Sequence, residues 1–154
     1  MPQKMRRGDR ELPAQAAQAV LEEGAVCHLA MVDKGEPYLV TLNYGFRDST
    51  LYFHCARGGR KMEALAEGRR VCFTVVPRHE LVVAEQGCDY SMRYESVVGY
   101  GTVRFLEEAE EKRHGLGIIM AQYASGNFSF PDGSLARTAV FAVDIEELTG
   151  KSSY

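Results

Sequence analysis

Residues 26–56 read VCHLAMVDKGEPYLVTLNYGFRDSTLYFHCA, and this stretch decides the fold class. Val26–Val32 and Tyr38–Phe46 are short runs rich in β-branched and aromatic residues. The turn cluster Asp33-Lys34-Gly35-Glu36-Pro37 lies between them, so the pair predicts a hairpin. Asp48-Ser49 then turns the chain into Leu51–Ala56, a third strand reached by another tight antiparallel connection. Strands joined by turns rather than by helical crossovers disfavour a doubly wound parallel sheet.

Upstream, residues 12–23 predict a helix: Pro13 suits a first turn, Ala17, Val20 and Leu21 share one face, and Gly24 can close the end. Downstream, Gly58-Gly59 breaks the strand pattern, and Met62, Leu65 and Ala66 recur at helical spacing before Gly68. This predicts a helix of about two to three turns, which must pack on the sheet to be stable. Val71–Val76 and Val97–Phe105 predict strands separated by a loop containing Pro77, Gly87 and Asp89. Gly99 and Gly101 fall on one face, where a missing side chain permits a bend or the close approach of a ligand. Leu116, Ile119, Met120 and Tyr123 mark a further amphipathic helix, and Thr138–Ile145 alternates as a last strand. The expected class is mainly β (α+β): an antiparallel barrel, closed or partly closed, flanked by helices.

Composition sets the outer limits. The 154 residues, 45% hydrophobic and 25% charged, fit a single domain over 1–154 that buries a core without staples, with residues 1–10 as an N-terminal arm. A balance of 18 basic and 21 acidic residues, net −3, argues against a nucleic-acid partner. No apolar run follows the basic start, and none reaches the roughly 20 residues of a membrane span, so a cytoplasmic protein with no membrane partner is expected. Cys27, Cys55, Cys72 and Cys88 are widely spaced and read as free thiols. No CxxC, HxxxH or second His/Cys pair accompanies His54-Cys55, so no metal site is expected. His28, in an apolar run, reads as a hydrogen-bonded core histidine.

The segment richest in chemistry is Leu51–Arg70, LYFHCARGGRKMEALAEGRR. An apolar strand ends, two glycines permit unusual backbone angles, and Arg60-Lys61 stand where a helix opens, which together make a plausible phosphate pocket. Over 54–70, Arg57, Arg60, Lys61, Arg69 and Arg70 oppose Glu63 and Glu67, a local +3 inside a chain of −3. A solvated basic helix start is the plain alternative. The segment is not a Walker loop, and Gly99-Tyr100-Gly101 lacks the third glycine of a dinucleotide fingerprint. Cys88, Asp89 and Ser91 have no nucleophile elbow around them. Tyr90, Tyr94, Tyr100 and Arg93 form an aromatic and basic cluster that reads first as core and interface packing.

A set of motifs in order along the chain resembles one family: Met5-Arg6-Arg7-Gly8-Asp9-Arg10, Gly35-Glu36-Pro37-Tyr38-Leu39-Val40, Leu51-Tyr52-Phe53-His54-Cys55-Ala56, Gly59-Arg60-Lys61, Met92-Arg93-Tyr94-Glu95-Ser96-Val97-Val98-Gly99-Tyr100-Gly101 and Leu148-Thr149-Gly150-Lys151. They are similar to the Nim-type, nitroimidazole-resistance branch of the pyridoxamine 5′-phosphate oxidase-like flavoproteins. The resemblance implies a split β-barrel homodimer with FMN at the subunit interface. It implies that His54, Cys55, Ala56, Gly59, Arg60 and Lys61 hold the FMN phosphate. Val40, Thr41, Leu42 and Asn43 would run along the ribityl chain and ring, and Arg93, Ser96 and Val97 would approach from the partner. The chain stops at Lys151-Ser152-Ser153-Tyr154, without the substrate-binding end of true pyridoxamine phosphate oxidases, so vitamin B6 chemistry is not expected. The implied activity is an FMN-dependent reductase passing electrons from a reduced nicotinamide or other donor to a small electrophile such as a nitroaromatic. His54 is the one catalytic candidate, as a proton donor, with binding its first role. The alternatives are a non-catalytic FMN-binding protein for storage or sensing and a haem-handling split barrel.

Overall fold

The computed structural model describes residues 3–154, so Met1 and Pro2 of the expected arm lie outside the described residues. In chain order the elements are β1 (Glu11–Leu12), α1 (Ala14–Glu23), β2 (Cys27–Asp33), β3 (Glu36–Leu42), β4 (Gly45–Arg47), β5 (Thr50–Ala56), α2 (Arg60–Ala64), β6 (Arg70–Val82), β7 (Ser91–Leu106), α3 (Ala109–Tyr123), α4 (Asp132–Arg137) and β8 (Thr138–Ser152). Every pairing is antiparallel, in the order β3-β2-β6-β7-β8-β5-β4, with β1 added to β8. The sheet is open, with β3 and β4 as its two edges, so the barrel is split rather than closed. No helix among the described residues is long and apolar enough to cross a membrane.

The two edges are consecutive in the chain, and this explains why the single strand expected over Tyr38–Phe46 divides. Tyr44 is fully buried and its hydroxyl donates to the Leu21 carbonyl at 2.5 Å, which pulls the backbone out of the β3 ladder. The hairpin turns follow from residue chemistry. Lys34 (φ 52°) and Gly35 (φ 81°) both take left-handed angles, the two-residue turn that matches the twist of paired strands.

The core lies on the inner face, where alternate residues Cys27, Leu29 and Met31 meet Val71, Phe73 and Val75. Phe53 and Phe141 stack with ring centres 5.1 Å apart, and α1 lays Ala17, Val20 and Leu21 against the same cluster. Gly99 and Gly101 belong to this packing and not to a ligand surface. A Cβ on Gly99 would stand 2.2 Å from the Phe73 ring, and one on Gly101 would stand 2.4 Å from the Asp144 carbonyl. The expected bend is present, as a register shift between Tyr100 and Gly101.

Two expectations need correction. The loop placed between Val76 and Val97 is mostly strand: β6 and β7 continue into a long hairpin, with a bulge between Val75 and Arg78 that accommodates Pro77. The helix expected after Gly59 is only Arg60–Ala64, because the chain beyond it peels away to bond β7, with the Gly68 N–H donating to Val103 and the Val103 N–H to Arg69.

Candidate functional site

One face of the sheet looks away from the core. Across it, cross-strand neighbours form two rows: Thr41, His28, Thr74, Val98 and Thr149, then Leu39, Ala30, Cys72, Tyr100 and Glu147. Leu39 is 60% exposed and Val32, opposite Pro37, 52%, so this face presents apolar surface to its surroundings. A shallow cavity of about 350 Å³ opens here between Ala30, Val32, Pro37, Arg70, Cys72 and Tyr100.

Of the predicted residues, Val40, Thr41 and Leu42 lie on edge strand β3, with Asn43 just after it. The side chains of Thr41 and Asn43 are exposed, whereas Val40 and Leu42 lean on the core. His28 Nδ1 lies 3.0 Å from Thr41 Oγ1, so His28 is hydrogen-bonded as expected, but on the outer face and not in the core. Its neighbourhood with Thr41 is a cross-strand relationship that only the β2–β3 register discloses. Asn43 Nδ2 donates to the Tyr123 hydroxyl at 3.3 Å, leaving its Oδ1 as the free end.

His54, Cys55 and Ala56 end β5. His54 and Ala56 point out, while Cys55 is buried, with its Sγ 3.5 Å from Met62 Sδ. Burial pushes the Cys55 thiol up, and the nearby Lys61 ammonium works against that shift. Gly59 takes φ 103°, which favours glycine, and swings the chain into α2.

The basic segment is less free than its charge count implied. Arg70 pairs with Glu146 and Glu147, Arg69 donates to the Val32 carbonyl at 2.6 Å, and Arg60 pairs with Asp33 at 2.9 Å and Glu36 at 3.5 Å. Among the described residues, Arg57, Lys61 and Arg69 of the five have no acidic partner within 4.0 Å; Arg69 is taken up by the Val32 carbonyl, and Lys61 is half-buried. Arg60 also lies over the Tyr38 ring, 4.2 Å from its centre, which sets the turn carrying Lys61 against the hairpin carrying Val40–Asn43.

Arg93, Ser96 and Val97 are elsewhere, on β7. Arg93 faces Glu80 at 4.0 Å, Ser96 lies opposite Lys151, and Val97 is fully buried, its carbonyl accepting from Thr74 Oγ1 at 2.8 Å. Among the described residues no hydrogen bond or ion pair joins these three side chains to β3 or α2. Nearby, partial loss of solvent raises the Tyr94 phenol, but hydrogen bonds from Arg10 and Lys151 outweigh it and hold the group below its usual range. Among the described residues no three His, Cys, Asp or Glu side chains are grouped to hold a metal.

Comparison with known proteins places this arrangement. A sequence profile described as pyridoxamine 5′-phosphate oxidase matches residues 13–152. A solved structure proposed as a 5-nitroimidazole antibiotic resistance protein, from Bacteroides thetaiotaomicron, is 36% identical. The match covers 92% of this chain and 85% of that one, with a TM-score of 0.81. Two more distant structures share the fold. An FAD and haem binding protein from Mycobacterium smegmatis is 23% identical over 94% of this chain and 73% of that one, with a TM-score of 0.84. A flavocytochrome from Azotobacter vinelandii is 20% identical over 98% and 72%, with a TM-score of 0.85. No curated protein matches the chain. A profile match over nearly the whole chain, together with the similarity to the Bacteroides protein, shows that the chain belongs to the pyridoxamine 5′-phosphate oxidase family, in its Nim-type branch.

Proposed function

We propose that this protein is an FMN-dependent reductase that acts as a homodimer. The observation that carries the reading is the contact of Arg60 with Tyr38 and Asp33, which joins a half-buried cation without an acidic partner, Lys61, to an edge strand with exposed hydrogen-bonding groups. The donor set fits FMN. Lys61 and the Gly58-Gly59 turn suit a phosphate, while Thr41 and the free Oδ1 of Asn43 suit the ribityl hydroxyls and ring edge. When bound, FMN supplies the redox chemistry, between a reduced nicotinamide or other donor and a small electrophile such as a nitroaromatic. The chain's own residues would bind, orient and shield it, with exposed His54 at the end of β5 assigned binding first and proton donation second. Similarity to the Bacteroides resistance protein supports a nitroimidazole acceptor.

The same geometry supports the dimer. The resemblance assigns Arg93, Ser96 and Val97 to the flavin site, and within one subunit they lie on β7, apart from β3, which fits their being supplied by a second copy. The exposed apolar side chains on the outer face, Leu39, Val98 and Tyr100, mark the surface that copy would cover.

The test is the absorption spectrum of the purified protein, followed by release and chromatography of the chromophore. Releasable FMN, and turnover of a 5-nitroimidazole with a reduced nicotinamide, are expected. FMN without turnover by any donor would leave a storage or sensing protein, and a Soret band in place of a flavin spectrum would overturn the reading.

A further inference from the structure

Arg60 looks at first like half of a two-cation phosphate clamp with Lys61, but its surroundings say otherwise. Its Nε donates to Asp33 Oδ2 at 2.9 Å, its Nη2 to Glu36 Oε2 at 3.5 Å, and its guanidinium carbon lies 4.2 Å from the centre of the Tyr38 ring. The fork is thus committed to two carboxylates and one aromatic face, the planar recognition for which arginine is suited. The Asp33 side chain is only 14% exposed, so swinging Arg60 toward a phosphate would strand a largely buried carboxylate. The guanidinium therefore faces two carboxylates at once, which holds its charge toward the hairpin.

Those partners belong to one hairpin. Asp33 ends β2, and Glu36 and Tyr38 begin β3, the strand that runs on to Val40–Leu42 and Asn43. Arg60 itself opens α2, one residue after the Gly59 turn and one before Lys61. We propose that Arg60 is a positioning residue, not a phosphate ligand: it locks the turn carrying the phosphate cation Lys61 to the strand that receives the ribityl chain and ring. The inference rests on the flavin reading above. Its consequence is that the distance between the two ends of the flavin site is set before the flavin arrives, lowering the ordering cost of binding.

FMN and riboflavin, which differ by the phosphate, separate the two roles. Both are titrated by flavin fluorescence against wild type, Lys61→Ala, Arg60→Ala, Asp33→Asn and the Asp33→Asn/Arg60→Ala double variant. The temperature is one at which every variant keeps its native circular dichroism. Lys61→Ala should weaken FMN by about ten- to a hundredfold and leave riboflavin unchanged. Arg60→Ala and Asp33→Asn should each weaken both flavins by the same factor, about tenfold, and the double variant should be no worse than either, because the two act through one contact. Loss of FMN affinity alone in Arg60→Ala, or tighter FMN binding in Asp33→Asn as the guanidinium is released, would overturn the proposal while leaving the flavin reading intact. A wild-type protein that binds neither flavin would overturn the flavin reading itself.

Discussion

The Tyr123 hydroxyl accepts the backbone N–H of Tyr44 at 2.9 Å and donates to the Ala25 carbonyl at 2.6 Å. The pair pins Asn43-Tyr44, the short passage by which the chain leaves one sheet edge and enters the other. Tyr123→Phe removes both bonds and the one from Asn43 Nδ2, and leaves a partly buried N–H unpaired, so a loss of about 1–3 kcal/mol is expected in urea unfolding. An unchanged midpoint would show that the passage holds without them.

Lys112 is 5% exposed, and its Nζ donates to the carbonyls of Leu135 at 2.9 Å and Thr138 at 3.0 Å. It therefore ties α3 to the end of α4 and the start of β8. Lys112→Met keeps the length but removes both bonds, leaving the Leu135 carbonyl with only the Thr138 N–H, which should cost about 1–3 kcal/mol and speed amide exchange in α4. Wild-type exchange there would refute that role.

Burial pushes the Cys27 thiol up to about 12, from an ordinary 9.0, and raises the Tyr44 phenol as well. The unfolded chain releases these protons at lower pH than the fold does, so rising pH favours unfolding. Stability should be full below about pH 8.5 and fall from about pH 9 toward 12, each group adding up to ~1.4 kcal/mol per pH unit. Cys27→Ala should flatten that limb in urea titrations at pH 8, 9.5 and 10.5. An equally steep limb would count against Cys27 as a cause.

Val98 is 41% exposed and sits on the outer face between Thr74 and Thr149. If a second copy covers this face, Val98→Arg buries an unpaired charge there. The expected result is a monomeric mass in light scattering and FMN affinity weakened more than about tenfold. A variant that stays dimeric would move the interface elsewhere.

The parts of the fold legible in the sequence are those where burial differs between faces. Cys27, Leu29 and Met31 alternate with His28 and Ala30 in this way, whereas β8 was legible as a β-rich run, its residues Ala139–Val143 being buried on both faces. The hairpin of β6 and β7 beyond Val75 was not legible, because Arg78, Glu80, Arg93 and Glu95 lie on strands without a buried face. Cross-strand pairs Arg78–Glu95 and Glu80–Arg93 and the backbone ladder support it. Within the candidate site, Lys61 stood out by its charge beside Gly58-Gly59, and Thr41 and Asn43 through the family resemblance. The hold of Asp33 on Arg60 did not, since it joins residues 27 positions apart through the placement of α2 on β2.

β8 bonds to β1, β5 and β7, yet among the strands it is made last. On the ribosome, until Thr138–Ser152 has emerged, β5 and β7 share no neighbour. The nascent chain then holds two unjoined groups, β3-β2-β6-β7 and β5-β4, each with an unpaired inner edge. Synthesis from one end cannot extend this sheet strand by strand, and the seam is filled only when its final piece arrives. The interval before that moment is when the protein most needs protection from aggregation through those open edges.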